Sequence, residues 1–230
     1  MARPNLLVDW LLPPSCGGCR SLGGWLCAAC RARVRRLEEP LCRRCGRELQ
    51  YAGISCGCRA HLRNLSRLRS VAAYEGPLER AIHRFKYAGW RALAPELADL
   101  LAATFGRDSS ASAGTLVLPV PLHPRRLRQR GYNQSELLER ELRRRLQLSA
   151  PAGRLMRVRD TPPQVGLDRL RRRTNVAAAF EWSGPPLGKA AVLLVDDVAT
   201  TGATLESCAA ALKAAAAGPV SAITLARVDV

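Results

Sequence analysis

The stretch that decides the fold is VLLVDDVATTGATL at residues 192–205. Its first four residues are apolar, which is typical of a strand buried on both faces of a parallel sheet. Two aspartates fall where such a strand should end, and small residues, threonines and one glycine follow them. Apolar residues then recur at helical spacing and predict a helix from about Gly202 to Gly218. The stretch therefore predicts a strand, an acidic turn and a helix within an α/β fold.

The turn between this strand and this helix combines two kinds of binding chemistry. Free N–H groups at a helix start, aided by the helix dipole, favour a phosphate, and threonine hydroxyls add donors. The carboxylates of Asp196 and Asp197 suit sugar hydroxyls or a nearby divalent cation instead. A 5-phosphoribosyl group presents both a phosphate and a diol, so we predict that such a group binds here. The alternative is an exposed acidic turn without a ligand, but the flanking strand and helix favour a site.

Eight of the nine cysteines lie between residues 16 and 58. They form four closely spaced pairs: Cys16 and Cys19, Cys27 and Cys30, Cys42 and Cys45, and Cys56 and Cys58. This spacing predicts two structural zinc sites, because four thiolates around a zinc ion leave no open position for catalysis. The simplest assignment joins the first two pairs and the last two pairs, and an interleaved arrangement is the alternative. Disulfides are a further alternative, which a cytoplasmic location would disfavour.

The chain is strongly basic, with 36 lysines and arginines, 19 acidic residues and a net charge of +17. This charge favours polyanionic partners such as nucleic acid or pyrophosphate. A basic surface without a specific partner is the alternative. Aromatic residues make up only 5% of the sequence, which weakens the case for a surface that stacks single-stranded bases.

The sequence contains no candidate transmembrane helix. The apolar run at 6–12 includes Asp9 and ends at Pro13, so it is too short to cross a bilayer and lacks the layout of a signal peptide. We expect a short amphipathic helix there, and a cytoplasmic protein without membrane insertion.

The rest of the chain predicts further elements of an α/β domain. Strands are predicted at 71–74, 115–120, 155–158 and 220–226, and helices at 77–86, at 95–105 and from a cap at Asn133 onward. Pro119 and Pro121 end the strand at 115–120, since proline cannot join the ladder of a sheet. That end of the sheet is where ligands bind in open α/β folds.

Four groups of residues resemble known family patterns. DDVATTGATL at 196–205 resembles the signature with which type I phosphoribosyltransferases bind phosphoribosyl pyrophosphate (PRPP). The paired cysteines, PVPLHPRRLRQRGYNQ at 119–134 and the pattern Q-x-x-L-x4-R-x-x-N at 164–175 are similar to the ComF family of competence-associated proteins, which includes GntX-like members. The resemblance covers nearly the whole chain. It implies a type I phosphoribosyltransferase-like parallel sheet flanked by helices, with a small N-terminal four-cysteine zinc-finger module.

The resemblance also implies a division of the chain and a set of ligand contacts. Residues 1–64 would form a double zinc ribbon-like module, and 65–230 a phosphoribosyltransferase-like domain with a hood that includes the segment from 71 to 89. Asp196 and Asp197 would be catalytic residues that hold the ribose, and Arg130 would bind pyrophosphate together with Mg²⁺. The other implied PRPP contacts are Val198, Ala199, Thr200, Thr201, Gly202, Ala203 and Thr204, and Gln164, Arg172 and Asn175 on a mobile loop. Lys86 would either face the phosphates or be an exposed lysine at a helix end.

Three functional hypotheses follow from these patterns. The resemblance implies a PRPP-binding transferase associated with natural transformation, in which single-stranded DNA and DNA-uptake proteins are partners. A non-catalytic module that binds single-stranded DNA or a protein and retains the fold is the alternative, because fold does not settle activity. A transcription regulator is the third, and the lack of an evident recognition helix beside the cysteines disfavours it. No motif identifies the acceptor of the phosphoribosyl group.

Overall fold

The computed structural model describes residues 13–52, 54, 56–106, 114–160 and 179–228. The helix expected at 6–12 and the predicted loop contacts Gln164, Arg172 and Asn175 lie outside the described residues. The described helices are α1 Ala28–Ala32, α2 Gly76–Tyr87, α3 Ala94–Phe105, α4 Pro124–Arg130, α5 Gln134–Leu146 and α6 Ala203–Ala214. The strands are β1 Leu65–Ala73, β2 Leu116–Pro119, β3 Arg154–Arg157, β4 Phe180–Ser183, β5 Val192–Ala199 and β6 Val220–Arg227.

The central sheet of the described chain has four strands in the order β1-β6-β5-β2, and all of its pairings are parallel. β3 and β4 form a separate antiparallel pair. Parallel neighbours need crossover connections, and these place helices on the faces of the sheet. The predicted class, an α/β fold with a mostly parallel sheet flanked by helices, is therefore confirmed.

The central strand β5 is buried on both faces, as its apolar run predicts. Val192 and Leu194 belong to an apolar cluster that includes residues of α6 and of the β3–β4 pair. Leu193 and Val195 belong to a second cluster, which includes residues of α2, α3 and α5. Each of these four residues is at most 4% exposed. The sheet thus separates two apolar layers, and β5 contributes side chains to both.

The prediction that this strand ends before the acidic pair is wrong. β5 continues to Ala199, and its register with β6 places Asp196 opposite Thr224. The ladder can continue through two aspartates because both carboxylates find polar partners outside the sheet. α6 follows as predicted, but it ends at Ala214 instead of near Gly218.

β1 is longer than the strand predicted at 71–74, and it forms an edge of the central sheet beside β6. Leu65 and Leu68 are fully buried, but Arg67 and Arg69 interrupt the apolar pattern and conceal this part of the strand. The resemblance implied that this segment belongs to a hood. Its strand lies in the central sheet.

The resemblance to the ComF family implies a pyrophosphate loop in the basic segment after β2, but this segment contains the short helix α4, which corrects that expectation. Nδ1 of His123 accepts a hydrogen bond from the N–H of Arg125 at 3.4 Å, and Pro124 occupies the first turn. Gly131, with φ of 78°, ends the helix. A capped start, an N-terminal proline and a C-terminal glycine are the signals of a helix, and they prevail over the loop-like composition.

The other predicted helices are confirmed as α2, α3 and α5. Oδ1 of Asn133 caps α5 by accepting the N–H of Ser135 at 3.1 Å. Leu138 and Leu142 are fully buried, so the predicted stripe faces the core. α5 is the longest described helix at 13 residues, and no described helix is long and apolar enough to cross a membrane.

The cysteine-rich region packs closely against the sheet. Cys16, Leu26 and Cys30 belong to the same apolar cluster as Leu78 of α2. Further along, the N–H of Leu68 in β1 donates to the carbonyl of residue 44 at 2.6 Å. The division of the chain at residues 64 and 65 stays a prediction, and side chains from both sides of it share one core.

Candidate functional site

Asp196 and Asp197 lie near the carboxyl end of β5, the end at which open α/β sheets bind ligands. Oδ1 of Asp196 accepts hydrogen bonds from Oγ of Ser135 at 2.7 Å and from the N–H of Asp197 at 2.9 Å. Ser135 is fully buried in the first turn of α5. The start of α5 therefore fixes the orientation of the first carboxylate.

The second carboxylate pairs with a lysine from α2. Nζ of Lys86 lies 2.7 Å from Oδ1 of Asp197, and the lysine side chain is 16% exposed, so the exposed-lysine alternative is wrong. Asp197 itself is 3% exposed. Its second oxygen, Oδ2, is buried and has no hydrogen-bond partner among the described residues. A buried acceptor without a donor costs free energy, so this oxygen is ready for a donor from a ligand or water.

Burial and charge set the protonation of this group. Burial, and then the negative charge of Asp197, raise the pKa of Asp196 to about 7. Burial favours the neutral amine of Lys86, but the charges of Asp197 and Asp196 outweigh it and raise the pKa of Lys86 above its ordinary value. The site thus contains one ion pair and one carboxylate whose charge changes near neutral pH.

The loop that follows the acidic pair leads directly into a helix. Gly202 starts α6 with φ of 80°, a left-handed conformation that glycine adopts without strain. Oγ1 of Thr201 accepts the N–H of Ala203 at 3.3 Å. The predicted contacts Val198 and Ala199 lie in β5, Thr200, Thr201 and Gly202 lie between strand and helix, and Ala203 and Thr204 lie in the first turn of α6. These predicted residues therefore meet at one end of β5.

A cationic cavity of about 310 Å³ lies beside Lys86. Arg126 and Arg130 of α4 line it, together with Tyr87 at the end of α2. The guanidinium carbon of Arg130 stands 5.1 Å from the centroid of the Tyr87 ring. Arg130, the predicted pyrophosphate contact, thus shares a cavity with the lysine that holds Asp197.

The paired cysteines gather into two sets. The first cysteine set is Cys16, Cys19, Cys27 and Cys30, and the second cysteine set is Cys42, Cys45, Cys56 and Cys58. All sulfurs of a set lie within 4.8 Å of one another, and all these cysteines are free thiols. The two sets correspond to the simplest predicted assignment and not to the interleaved one, and no disulfide joins these cysteines.

The geometry of both sets fits zinc. A tetrahedral ion with Zn–S bonds of about 2.3 Å places its sulfurs about 3.8 Å apart. The sulfurs of Cys19 and Cys27 are 3.7 Å apart, as are those of Cys42 and Cys58. The N–H groups of Gly18 and Cys27 both lie 3.3 Å from the sulfur of Cys16, which stabilises a thiolate. Four thiolates per set would complete the coordination of a zinc ion and leave no open position, as in structural sites.

Two residues near the site escaped sequence reasoning. Ser135, the partner of Asp196, follows a helix cap and looks like an ordinary first-turn serine. Glu206 looks like an exposed acid in the first turn of α6, although its carboxylate accepts four hydrogen bonds from residues 63–65. Neither role has a local signal, because each depends on a partner more than 60 positions away.

Comparisons with known proteins agree with this architecture. Residues 7–59 match the double zinc ribbon domain. The DNA utilization protein YhgH of Escherichia coli is 34% identical over 206 residues, which are 86% of this chain and 90% of that protein. Competence protein F of Haemophilus influenzae is 34% identical over 194 residues, with 82% and 84% covered. Competence protein ComFC of Bacillus subtilis is 27% identical over 209 residues, with 88% and 84% covered. Relatives at this identity span most of both chains, and the chain therefore belongs to the ComF family.

Proposed function

We propose that this protein binds Mg²⁺-PRPP at the carboxyl end of β5 and acts as a phosphoribosyltransferase. The observation that carries the proposal is Oδ2 of Asp197, a buried acceptor without a partner among the described residues. It lies next to a loop that opens a 12-residue helix, and the dipole at the N-terminus of a helix favours phosphate. A ribose 5-phosphate offers a hydroxyl donor and a phosphate in adjacent positions, so one ligand would satisfy both.

Each part of the ligand has a candidate partner. Asp196 and Asp197 would accept hydrogen bonds from the ribose hydroxyls, and the loop at 200–204 would donate to the 5-phosphate. Arg130, with Arg126 in the same cavity, would bind the pyrophosphate, because the guanidinium fork matches phosphate oxygens. Lys86 would hold Asp197 in its orientation towards the sugar.

The acidic pair suits Mg²⁺ only in part. Carboxylate oxygens are the ligands that Mg²⁺ prefers, but the groups of three or more possible metal ligands in the described chain are the two cysteine sets. Most ligands of the ion would therefore come from the pyrophosphate and from water. When bound, Mg²⁺ would neutralise charge on the pyrophosphate as it leaves. The protein's own task would be to position the sugar and exclude competing water.

Calorimetry tests this proposal. The zinc-loaded full-length protein is titrated with PRPP in the presence of Mg²⁺, and the double variant Asp196→Asn/Asp197→Asn is compared with it. Glu181→Gln, on the exposed part of β4, is the control. We expect the double variant to lose binding and the control to keep it. Equal binding by all three proteins would refute the assignment of the site.

A specific surface favours a second function, the binding of single-stranded DNA. The names of the relatives refer to DNA utilization and competence. Tyr87 is 65% exposed, Arg130 stands over its ring, and the ring of His83 lies 4.9 Å away. An exposed aromatic ring among cations is the arrangement that stacks bases and holds phosphates in single strands. Proteins of DNA uptake would be partners under the same proposal.

Fluorescence anisotropy with labelled oligo-dT tests the second function. Tyr87→Ala should weaken binding at least about fivefold, since stacking of one base contributes about 1–3 kcal/mol, whereas Tyr87→Phe should retain it. Tyr51→Ala is the matched control, because Tyr51 is 64% exposed on the cysteine-rich region. An oligonucleotide without bases should bind Tyr87→Ala and the unaltered protein equally. If neither Tyr87→Ala nor Tyr51→Ala binds oligo-dT more weakly than the unaltered protein, this surface is excluded.

A further inference from the structure

The loop at 200–204 rests on the segment that leaves the second cysteine set. Leu62 is 1% exposed and packs in one cluster with Cys45 and Cys58. A Cβ atom placed on Gly202 would lie 3.2 Å from Cδ2 of the same leucine. One buried side chain therefore contacts both the cysteines and the glycine at the start of α6.

A second observation places the loop near these cysteines. Thr201 is 7% exposed, and together with Cys45, Cys56 and Cys58 it borders a gap of about 10 Å³. Arg227, which pairs with Ala199 in the sheet, donates from Nη1 to the carbonyl of Cys45 at 2.6 Å.

A third contact holds the first turn of α6. The carboxylate of Glu206 accepts the N–H groups of Arg63, Asn64 and Leu65 at 2.8 to 3.0 Å. The N–H of Glu206 donates to the carbonyl of Gly202 at 2.9 Å. Hydrogen bonds to a carboxylate are stronger than those between neutral groups, so this turn is tied firmly to the segment behind the second cysteine set.

The first cysteine set has a different neighbour. Its glycines, Gly17 and Gly18, pack against Leu93 and Pro77 around α2. Nε of Arg80 in α2 donates to the carbonyl of Gly18 at 2.7 Å. The two sets share the same ligand chemistry but support different parts of the fold, so the chain supplies its own control.

From these contacts we infer that zinc in the second cysteine set positions the 200–204 loop and thereby sets its affinity for a phosphate-bearing ligand. Zinc holds the cysteines, the cysteines hold Leu62, and Leu62 and Glu206 hold the start of α6. This inference rests on the proposed PRPP site and adds metal control to it. Coupling between two ligands is reciprocal, so PRPP must strengthen zinc binding at the second cysteine set by the same factor.

Hydrogen exchange and calorimetry on the full-length protein test the inference together. Cys56→Ser/Cys58→Ser removes the second zinc, and Cys27→Ser/Cys30→Ser removes the first. We expect faster exchange of the amides at 200–206 in Cys56→Ser/Cys58→Ser only, together with about tenfold weaker PRPP binding by that variant. In the unaltered protein, saturating PRPP should slow the loss of one of the two zinc ions to a chelator.

Milder variants keep the test valid if a cysteine variant does not fold. Leu62→Ala should loosen the loop and weaken PRPP binding while both zinc ions remain bound. Leu26 is a buried leucine in the same apolar cluster as Cys16 and Cys30 of the first cysteine set. Leu26→Ala should leave the exchange of the loop unchanged.

The outcomes separate this inference from the proposed function. Unchanged exchange at 200–206 in both Cys56→Ser/Cys58→Ser and Leu62→Ala would overturn the coupling. Faster exchange in these variants, with no PRPP binding even by the unaltered protein, would support the coupling and refute PRPP as the ligand. Equal effects of the two leucine variants on the loop would also overturn it, since the second cysteine set would then have no special role.

Discussion

Replacing Asp196 by asparagine should stabilise the fold while it weakens ligand binding. The pKa of Asp196 is raised to about 7 in the folded protein, against about 3.9 for an unperturbed aspartate. Between these values the folded state holds a proton that the unfolded chain has lost. The free energy of unfolding therefore falls as the pH rises from about 4 to about 7, and it stays low above that.

The structure gives the size of this effect. At about 1.4 kcal/mol per pKa unit, a difference of about 3 costs about 4 kcal/mol near pH 8 and about 2 kcal/mol near pH 5.5. Because Asp196 is half-buried, we discount both figures by about half for screening by water. Asparagine cannot ionise, and its Oδ1 can still accept from Ser135 and from the N–H of Asp197. Asp196→Asn should therefore raise the free energy of unfolding by about 2 kcal/mol near pH 8 and by about 1 kcal/mol near pH 5.5.

Urea unfolding followed by circular dichroism measures this difference. The zinc content of each protein is checked at both pH values, because acid protonates thiolates and releases the metal. Glu181→Gln removes an exposed carboxylate and should change neither value. The same protein samples, titrated with PRPP and Mg²⁺, should show at least about tenfold weaker binding by Asp196→Asn. A variant that is less stable near pH 8, or equally shifted at both pH values, would show that burial does not penalise this carboxylate.

Three further predictions concern stability, each measured by urea unfolding of the zinc-loaded protein. Lys86→Met should destabilise the fold by about 3 kcal/mol, because it leaves the buried Asp197 unpaired. Lys86→Arg should recover part of this loss, and an equal loss of stability in both variants would contradict a role for the charge. Glu206→Gln should cost about 1–2 kcal/mol, because an amide group then faces the N–H of Leu65, and an unchanged midpoint would show that these bonds contribute nothing. Gly46→Ala should cost about 2 kcal/mol or more, since φ is 67° and the new methyl group would lie 2.6 Å from a backbone carbonyl of β1. Gly57→Ala is the control and should cost less, because Gly57 has the same φ but open space around it.

The sequence predicts those elements and sites that depend on residues close together in the chain. The apolar run before Asp196 predicts β5 and its burial on both faces, and cysteine spacing predicts both sets and their connectivity. Helices α2, α3 and α5, and the Asn133 cap of α5, also appear where the sequence predicts them. These features depend on residues within a few positions of one another, so a single sequence contains the whole signal.

The rest depends on partners that are distant in the chain. β5 runs through the acidic pair because β6 offers a ladder and because Ser135 and Lys86 satisfy the carboxylates, and nothing next to Asp196 reveals this. The first half of β1 was missed because arginines alternate with its buried leucines. The basic segment before Gly131 forms a helix because its cap and proline specify one, although the resemblance implies a loop there.

The shared core of the cysteine-rich region and the sheet has a practical consequence for anyone who shortens or recombines this protein. Leu26 and Cys30 occupy the same apolar interior as Leu78, and Leu62 lies under Gly202. A chain that begins at residue 65 would expose that interior to solvent and would lack Leu62, which packs under the 200–204 loop. A zinc ribbon transplanted from another family would have to reproduce both docking surfaces at once. The ribbon therefore shares its core with the sheet, and we do not expect it to fold in the same way when it is moved to another protein.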